Sequence, residues 1–189
     1  MTHSIIAPPA AEPLTLADVK MHLRLDGSAE DTLLTGLIAA ARAYLEATAG
    51  LALITQTLRV YLDDWPAGSM IQLPIAPLQG LESVTVYDAA GDPLAVPLTG
   101  HMLDSAASPA RLFLATQPPT SRPINGIEID VVAGFGNTGA EVPDTLKRAM
   151  LMHVALMYEL RGAVSPEMQP AAVPAGYDRL VAPYRTLRL

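Results

Sequence analysis

The chain has 189 residues, 50% of them hydrophobic and 16% charged, and a net charge of −7. That is length for one large domain or two small modules burying about 70% of the unfolded surface, and too apolar a composition for a disordered chain. The acidity argues against a general affinity for nucleic acid, which needs Lys and Arg to release counterions, and the absence of cysteine excludes disulfides, thiolate zinc sites and cysteine nucleophiles.

Met1-Thr2-His3-Ser4 lacks the basic and apolar regions of a secretory signal, and no apolar run approaches the roughly 20 residues that cross a bilayer. No membrane association is expected. Leu14-Thr15-Leu16-Ala17-Asp18-Val19 reads as a helix start, with the Thr15 hydroxyl and the Asp18 carboxylate forming a capping box and Leu14 and Val19 a hydrophobic staple. Leu16, Val19 and Leu23 share one face, and Asp26-Gly27 is the expected stop. Ser28-Ala29-Glu30-Asp31 repeats the capping pattern before a second helix reaching about Thr48. Its stripe is Leu34, Leu37, Ile38, Ala41, Tyr44 and Leu45, and Gly50 ends it.

From Leu53 to about Val132 the period changes to two. Leu58, Val60 and Leu62 alternate with Arg59 and Tyr61; Val84 and Val86 flank Thr85; Ile127, Ile129 and Val131 alternate with Glu128 and Asp130. Shorter strands are expected at Met70 to Leu73, Leu94 to Val96 and Arg111 to Leu114, between Pro- and Gly-rich turns. Pro143 should open the last long helix and Gly162 close it. Its apolar middle, Ala149 to Tyr158, makes it the central helix, with three methionines as gap-filling core.

The expected fold is therefore α+β: an antiparallel helical bundle of about three long helices with an inserted small antiparallel β-module and an extended C-terminal arm. The parts are an N-terminal helical pair (1–50), a β-rich insertion (51–142), a central helix (143–162) and a Pro-rich docking arm (163–189).

That arm holds Pro166, Pro170, Pro174 and Pro183 and ends in an apolar, basic run from Tyr177 to Leu189. Asp178 against Arg179, Arg185 and Arg188 gives the end a local +2, leaving −9 for the rest. Two readings stand: a surface that docks on a neighbour through Tyr177, Arg179, Leu180, Val181, Tyr184, Arg185, Leu187, Arg188 and Leu189, or a last short helix folded onto its own domain. On the first, truncation after Gly162 leaves a folded protein.

Catalytic patterns are weak. Gly134-Phe135-Gly136-Asn137-Thr138-Gly139 is formally G-x-G-x-x-G, but Ala140-Glu141-Val142-Pro143 separates it from the next helix and adds a negative charge. His3, His22, His101 and His153 fall in no ligand spacing, and His153 reads as a hydrogen-bonded core residue. Asp63-Asp64 could serve acid-base chemistry or a hard cation, and more simply ends a strand. No G-x-S-x-G occurs. The expectation is no enzyme, no metal and no cofactor. The alternative is a small ligand-binding or enzymatic module using Asp63-Asp64 or the loop from Gly134 to Gly139; a regulatory DNA-binding protein is disfavoured by the charge and the lack of a basic recognition helix.

The order of parts is more specific than any one motif. Pro13-Leu14-Thr15-Leu16-Ala17-Asp18-Val19-Lys20, Leu23-Arg24-Leu25-Asp26, Glu30-Asp31, Leu37-Ile38-Ala39-Ala40-Ala41-Arg42 and Ala52-Leu53-Ile54-Thr55-Gln56-Thr57 come first. Leu73-Pro74, Pro77-Leu78, Val84-Thr85-Val86-Tyr87-Asp88, Ala133-Gly134-Phe135-Gly136, Val142-Pro143 and Leu180-Val181-Ala182-Pro183-Tyr184-Arg185 follow. Together they resemble the head–tail connector family of tailed phages almost end to end, and the gene transfer agents of α-proteobacteria carry a similar adaptor. The resemblance implies a twelve-copy ring beneath a portal protein, a C-terminal segment engaging that portal, a tail-side neck or stopper protein as second partner, and no enzymatic activity. It also implies location in the neck of a virion or phage-like particle after synthesis in the bacterial cytoplasm. An acidic ring would let double-stranded DNA pass without specific binding.

Overall fold

A computed structural model describes residues 2–160 and 173–185. They form two compact units, one mostly β and one helical, each built from separated pieces of the sequence.

The β unit takes residues 2–10 and 55–135. Its larger sheet has five antiparallel strands in the order β1-β2-β8-β4-β5: β1 (Thr2–Ala7), β2 (Gln56–Leu62), β8 (Ile127–Ala133), β4 (Leu78–Tyr87) and β5 (Pro93–Ala95). The central strands alternate as their sequences require. Leu58, Val60, Ile127, Ile129, Val131, Val84 and Val86 are buried, while Arg59, Glu128 and Asp130 lie on the wetter face. A second sheet pairs β3 (Met70–Leu73) and β6 (Met102–Asp104) on either side of β7 (Ala110–Phe113), burying Ile71, Leu73 and Leu112. Eight strands in two sheets exceed the small module expected. β1 was not foreseen at all: it places the first residues of the chain in this sheet rather than with the helices.

The helical unit takes residues 11–54, 136–160 and 173–185. α1 (Leu16–Leu23) has the expected capping box, with the Asp18 N–H donating to the Thr15 hydroxyl at 3.1 Å and the Thr15 N–H to the Asp18 carboxylate at 2.9 Å. It ends before Asp26-Gly27 because Arg24 adopts the left-handed conformation (φ 57) and caps it. α2 (Asp31–Ala49) buries Leu34, Ile38, Ala41, Leu45 and Ala49, and Gly50 (φ 70) stops it as expected. Ser28 does not cap it; Glu30 is the N-cap and makes no side-chain cap bond. α3 (Asp144–Glu159) follows Pro143 and packs against α1, α2 and α4 (Tyr177–Val181), which makes it the central helix. The expected closure at Gly162 lies outside the described residues.

Among the described residues the fold is thus mixed α and β, with two long helices and two short ones rather than three long ones. The described part of the C-terminal arm is not extended. It is α4 followed by a 3-10 turn, Ala182–Tyr184.

Candidate functional site

The carboxyl-terminal segment is the site that the sequence singled out, and it divides by face. Gly176, at φ 94, turns the chain into α4. Tyr177 and Val181 are four residues apart, so they lie on one side of that helix, and both are completely buried in the helical unit. The Tyr177 ring meets His153 of α3 edge-on at 5.7 Å and Tyr44 of α2 at 6.2 Å; Tyr44 and His153 pack on each other at 5.0 Å. These three aromatic rings join three helices, and His153 is core, as its apolar surroundings suggested. Burial pushes the Tyr177 hydroxyl up to about 12.

This corrects the first reading of the segment. Tyr177 and Val181 do not wait in water for a neighbour; the pocket they fill belongs to their own helical unit. Truncation after Gly162 would remove both of these buried side chains from the helical unit. Arg179 is exposed, and Leu180, Tyr184 and Arg185 are half-buried. The Tyr184 and Thr145 hydroxyls hydrogen-bond at 3.0 Å, and the Arg185 guanidinium donates to Asp178. Leu187, Arg188 and Leu189 lie outside the described residues.

The alternative sites have local employment. Asp63 accepts the Asn125 N–H at 2.8 Å, Asp64 accepts the Trp65 N–H at 2.8 Å, and the Trp65 indole donates to the Pro118 carbonyl. Among the described residues, no cluster of three His, Cys, Asp or Glu side chains could hold a metal. In the glycine run, Glu141 folds back so that its carboxylate accepts the Thr138 N–H at 3.0 Å and hydroxyl at 3.2 Å. A Cβ on Gly136 would fall 2.1 Å from that carboxylate group, and one on Gly139 would fall 2.4 Å from the Pro13 carbonyl. These glycines permit close approach, and the place a phosphate would need is filled by a like charge.

Sequence reasoning missed an ionic network on the wet face of the larger sheet. Arg59 reaches Asp130 at 2.7 and 2.8 Å and Glu128 at 2.7 Å; Ser83 adds a bond to Asp130 at 3.1 Å and the Tyr87 hydroxyl one to Glu128 at 2.9 Å. Hydrogen bonding to Asp130 holds the guanidinium charged even more firmly than usual. The alternation of β2 and β8 carried the signal, because Arg59 faces Asp130 once the strands pair in register.

Comparison with known proteins bears on the whole chain. The profile of the phage gp6-like head-tail connector protein family matches residues 13–86. Over 100% of this chain and 97% of the other, the structure is similar to a protein from the neck of an empty gene transfer agent particle, computed with C6 symmetry, at 31% identity and TM-score 0.82. A protein from the virion of the native particle is also 31% identical, with TM-score 0.81, and one from the native neck computed with C12 symmetry is 29% identical, with TM-score 0.79. No curated sequence matches significantly.

Proposed function

The chain belongs to the phage head–tail connector family, and from that premise we propose that it is a ring-forming structural adaptor in the neck of a phage-like particle, joining a DNA-filled head to its tail. The single observation that carries the reading is likeness to neck proteins over the entire length of the chain, with sequence identity to match. Its role is mechanical, not catalytic. A closed ring, twelve copies in this reading, follows from a head-to-tail contact repeated about an axis, and the symmetry used for the similar necks is the reason for that number.

The portal is the head-side partner and a stopper protein the tail-side one. On the portal side the docking residues are Arg179, Leu180, Tyr184 and Arg185 of the described segment, together with Leu187, Arg188 and Leu189, which follow them in sequence. Tyr177 and Val181 anchor the described segment from beneath. The acidic body repels DNA moving through the bore, so the duplex passes without sticking. The protein is made in the bacterial cytoplasm and works in the assembled particle.

Deleting residues 186–189 tests the docking assignment without touching the aromatic anchor. The expected result is an unchanged melting temperature with loss of head–tail joining, counted as tailless heads by electron microscopy. Normal joining by a stably folded deletion variant would remove the portal assignment of those residues.

A further inference from the structure

The β unit has four sheet edges, and they are not alike. β5 is three residues long, begins with Pro93 and is followed by Pro97; β6 is three residues long and carries Asp104, ion-paired with Arg111. Short length, proline and charge are the ordinary guards of an edge strand. β1 and β3 carry no proline and no acidic, lysine or arginine residue within the strand itself, although Pro8 follows β1 and Pro74 follows β3. β1 runs in regular register with β2 from Thr2 to Ile5, and exposes every residue, Ile5 by 51% and Ile6 by 46%. β3, Met70-Ile71-Gln72-Leu73, is uncharged and exposes Met70 by 47%. Among the described residues β1 pairs with β2 alone and β3 with β7 alone, so each sheet has one guarded and one bare edge.

A bare strand edge offers a row of backbone donors and acceptors, which only another extended backbone can satisfy in series. Pairing β1 with a second β1 gives a twofold dimer and ends there. A ring needs two unlike surfaces meeting head to tail. The two bare edges are unlike, uncharged and equal in usable length, four residues each.

We propose that the β1 edge of one copy pairs with the β3 edge of the next, so that adjacent adaptors in the ring are joined by a shared β-sheet. The occupant of each bare edge is a second copy of this chain, and Ile5, Ile6 and Met70 are covered in the contact. This rests on the ring reading above and adds the surface that makes the ring.

The chain has no cysteine, so cross-links can be placed one pair at a time. Phage-like particles assembled with the Ser4→Cys, Gln72→Cys double variant and treated with a short bis-maleimide should yield a ladder of covalent multimers beyond the dimer, at least tenfold above either single variant. Adding Ile5→Lys, a guard on the exposed edge, should lower the ladder at least tenfold at an unchanged melting temperature. Dimers from Ser4→Cys alone, a product confined to one chain, or a ladder indifferent to Ile5→Lys would each overturn the pairing. A ring visible at the neck without any ladder overturns the edge contact and leaves the adaptor reading intact; no ring at the neck overturns both.

Discussion

The β unit and the helical unit close their cores by different means. In the β unit, strands β2, β8 and β4 lie side by side and each supplies its own alternate aliphatic residues. In the helical unit, α2 and α3 leave a pocket at Tyr44 and His153 that is filled by Tyr177, brought from near the end of the chain. Both cores are largely aliphatic, and the helical one adds an aromatic ring supplied from near the end of the chain. The segment proposed to dock on the portal therefore also completes a hydrophobic core.

The largest expected effect falls on that ring. Tyr177→Ala should cost the helical unit about 3–5 kcal/mol, the usual range for removing a buried aromatic ring, measured as a shift in urea unfolding followed by helical circular dichroism. A loss below about 1 kcal/mol would mean that the ring is not core. In the β unit, Asp130→Ala should cost about 1.5–3 kcal/mol, because it removes the acceptor of charge-assisted bonds from Arg59 and leaves that guanidinium on Glu128 alone. If the mutant melts like the parent, the network is surface decoration.

Thr15→Ala should cost about 1 kcal/mol through loss of the α1 cap. The Thr15 hydroxyl holds the Asp18 carboxyl below its ordinary value, so the cap contributes fully above the unfolded carboxylate range and is lost as the pH falls through the lowered folded value. The acid limb of the stability profile should flatten in Thr15→Ala. A parallel profile would contradict the assignment.

The smallest effect at neutral pH is the most diagnostic. Tyr177→Phe deletes a buried hydroxyl that has no hydrogen-bond partner among the described residues, so stability near pH 7 should change by less than about 0.5 kcal/mol or rise. At high pH the two proteins should diverge. Between the ordinary tyrosine value of 10.0 and the folded value of about 12, the unfolded chain loses the phenol proton while the folded one keeps it, so stability falls through that window. The phenylalanine variant should lack this part of the alkaline loss.

These contrasts also explain what could be read from the residues. Period-two alternation in Leu58 to Leu62 and Ile127 to Val131, the Thr15 and Asp18 spacing and Gly50 are local signals, and local geometry obeys them. β1 was invisible because all its residues are exposed: Thr2-His3-Ser4-Ile5-Ile6-Ala7 has no buried face to impose alternation, and only pairing with β2 makes it a strand. Arg24 ended α1 early because a non-glycine residue took the left-handed position that Gly27 advertised. The inward turn of Tyr177 and Val181 was written in their spacing of four. The pocket that receives them is not, since Tyr44 and His153 lie far away in sequence and meet only after α2 and α3 have packed.

The central claim is that the last segment is held from below by Tyr177 and Val181 while its outward face serves a neighbour in the particle. A reconstruction of the neck of particles carrying this chain tests it most directly. The account predicts a ring of adaptors in which Tyr177 still sits between Tyr44 and His153 and Arg179, Tyr184, Arg185 and Leu187 touch the portal. A neck in which those four residues face solvent, or in which Tyr177 has left its own subunit for another, would contradict it.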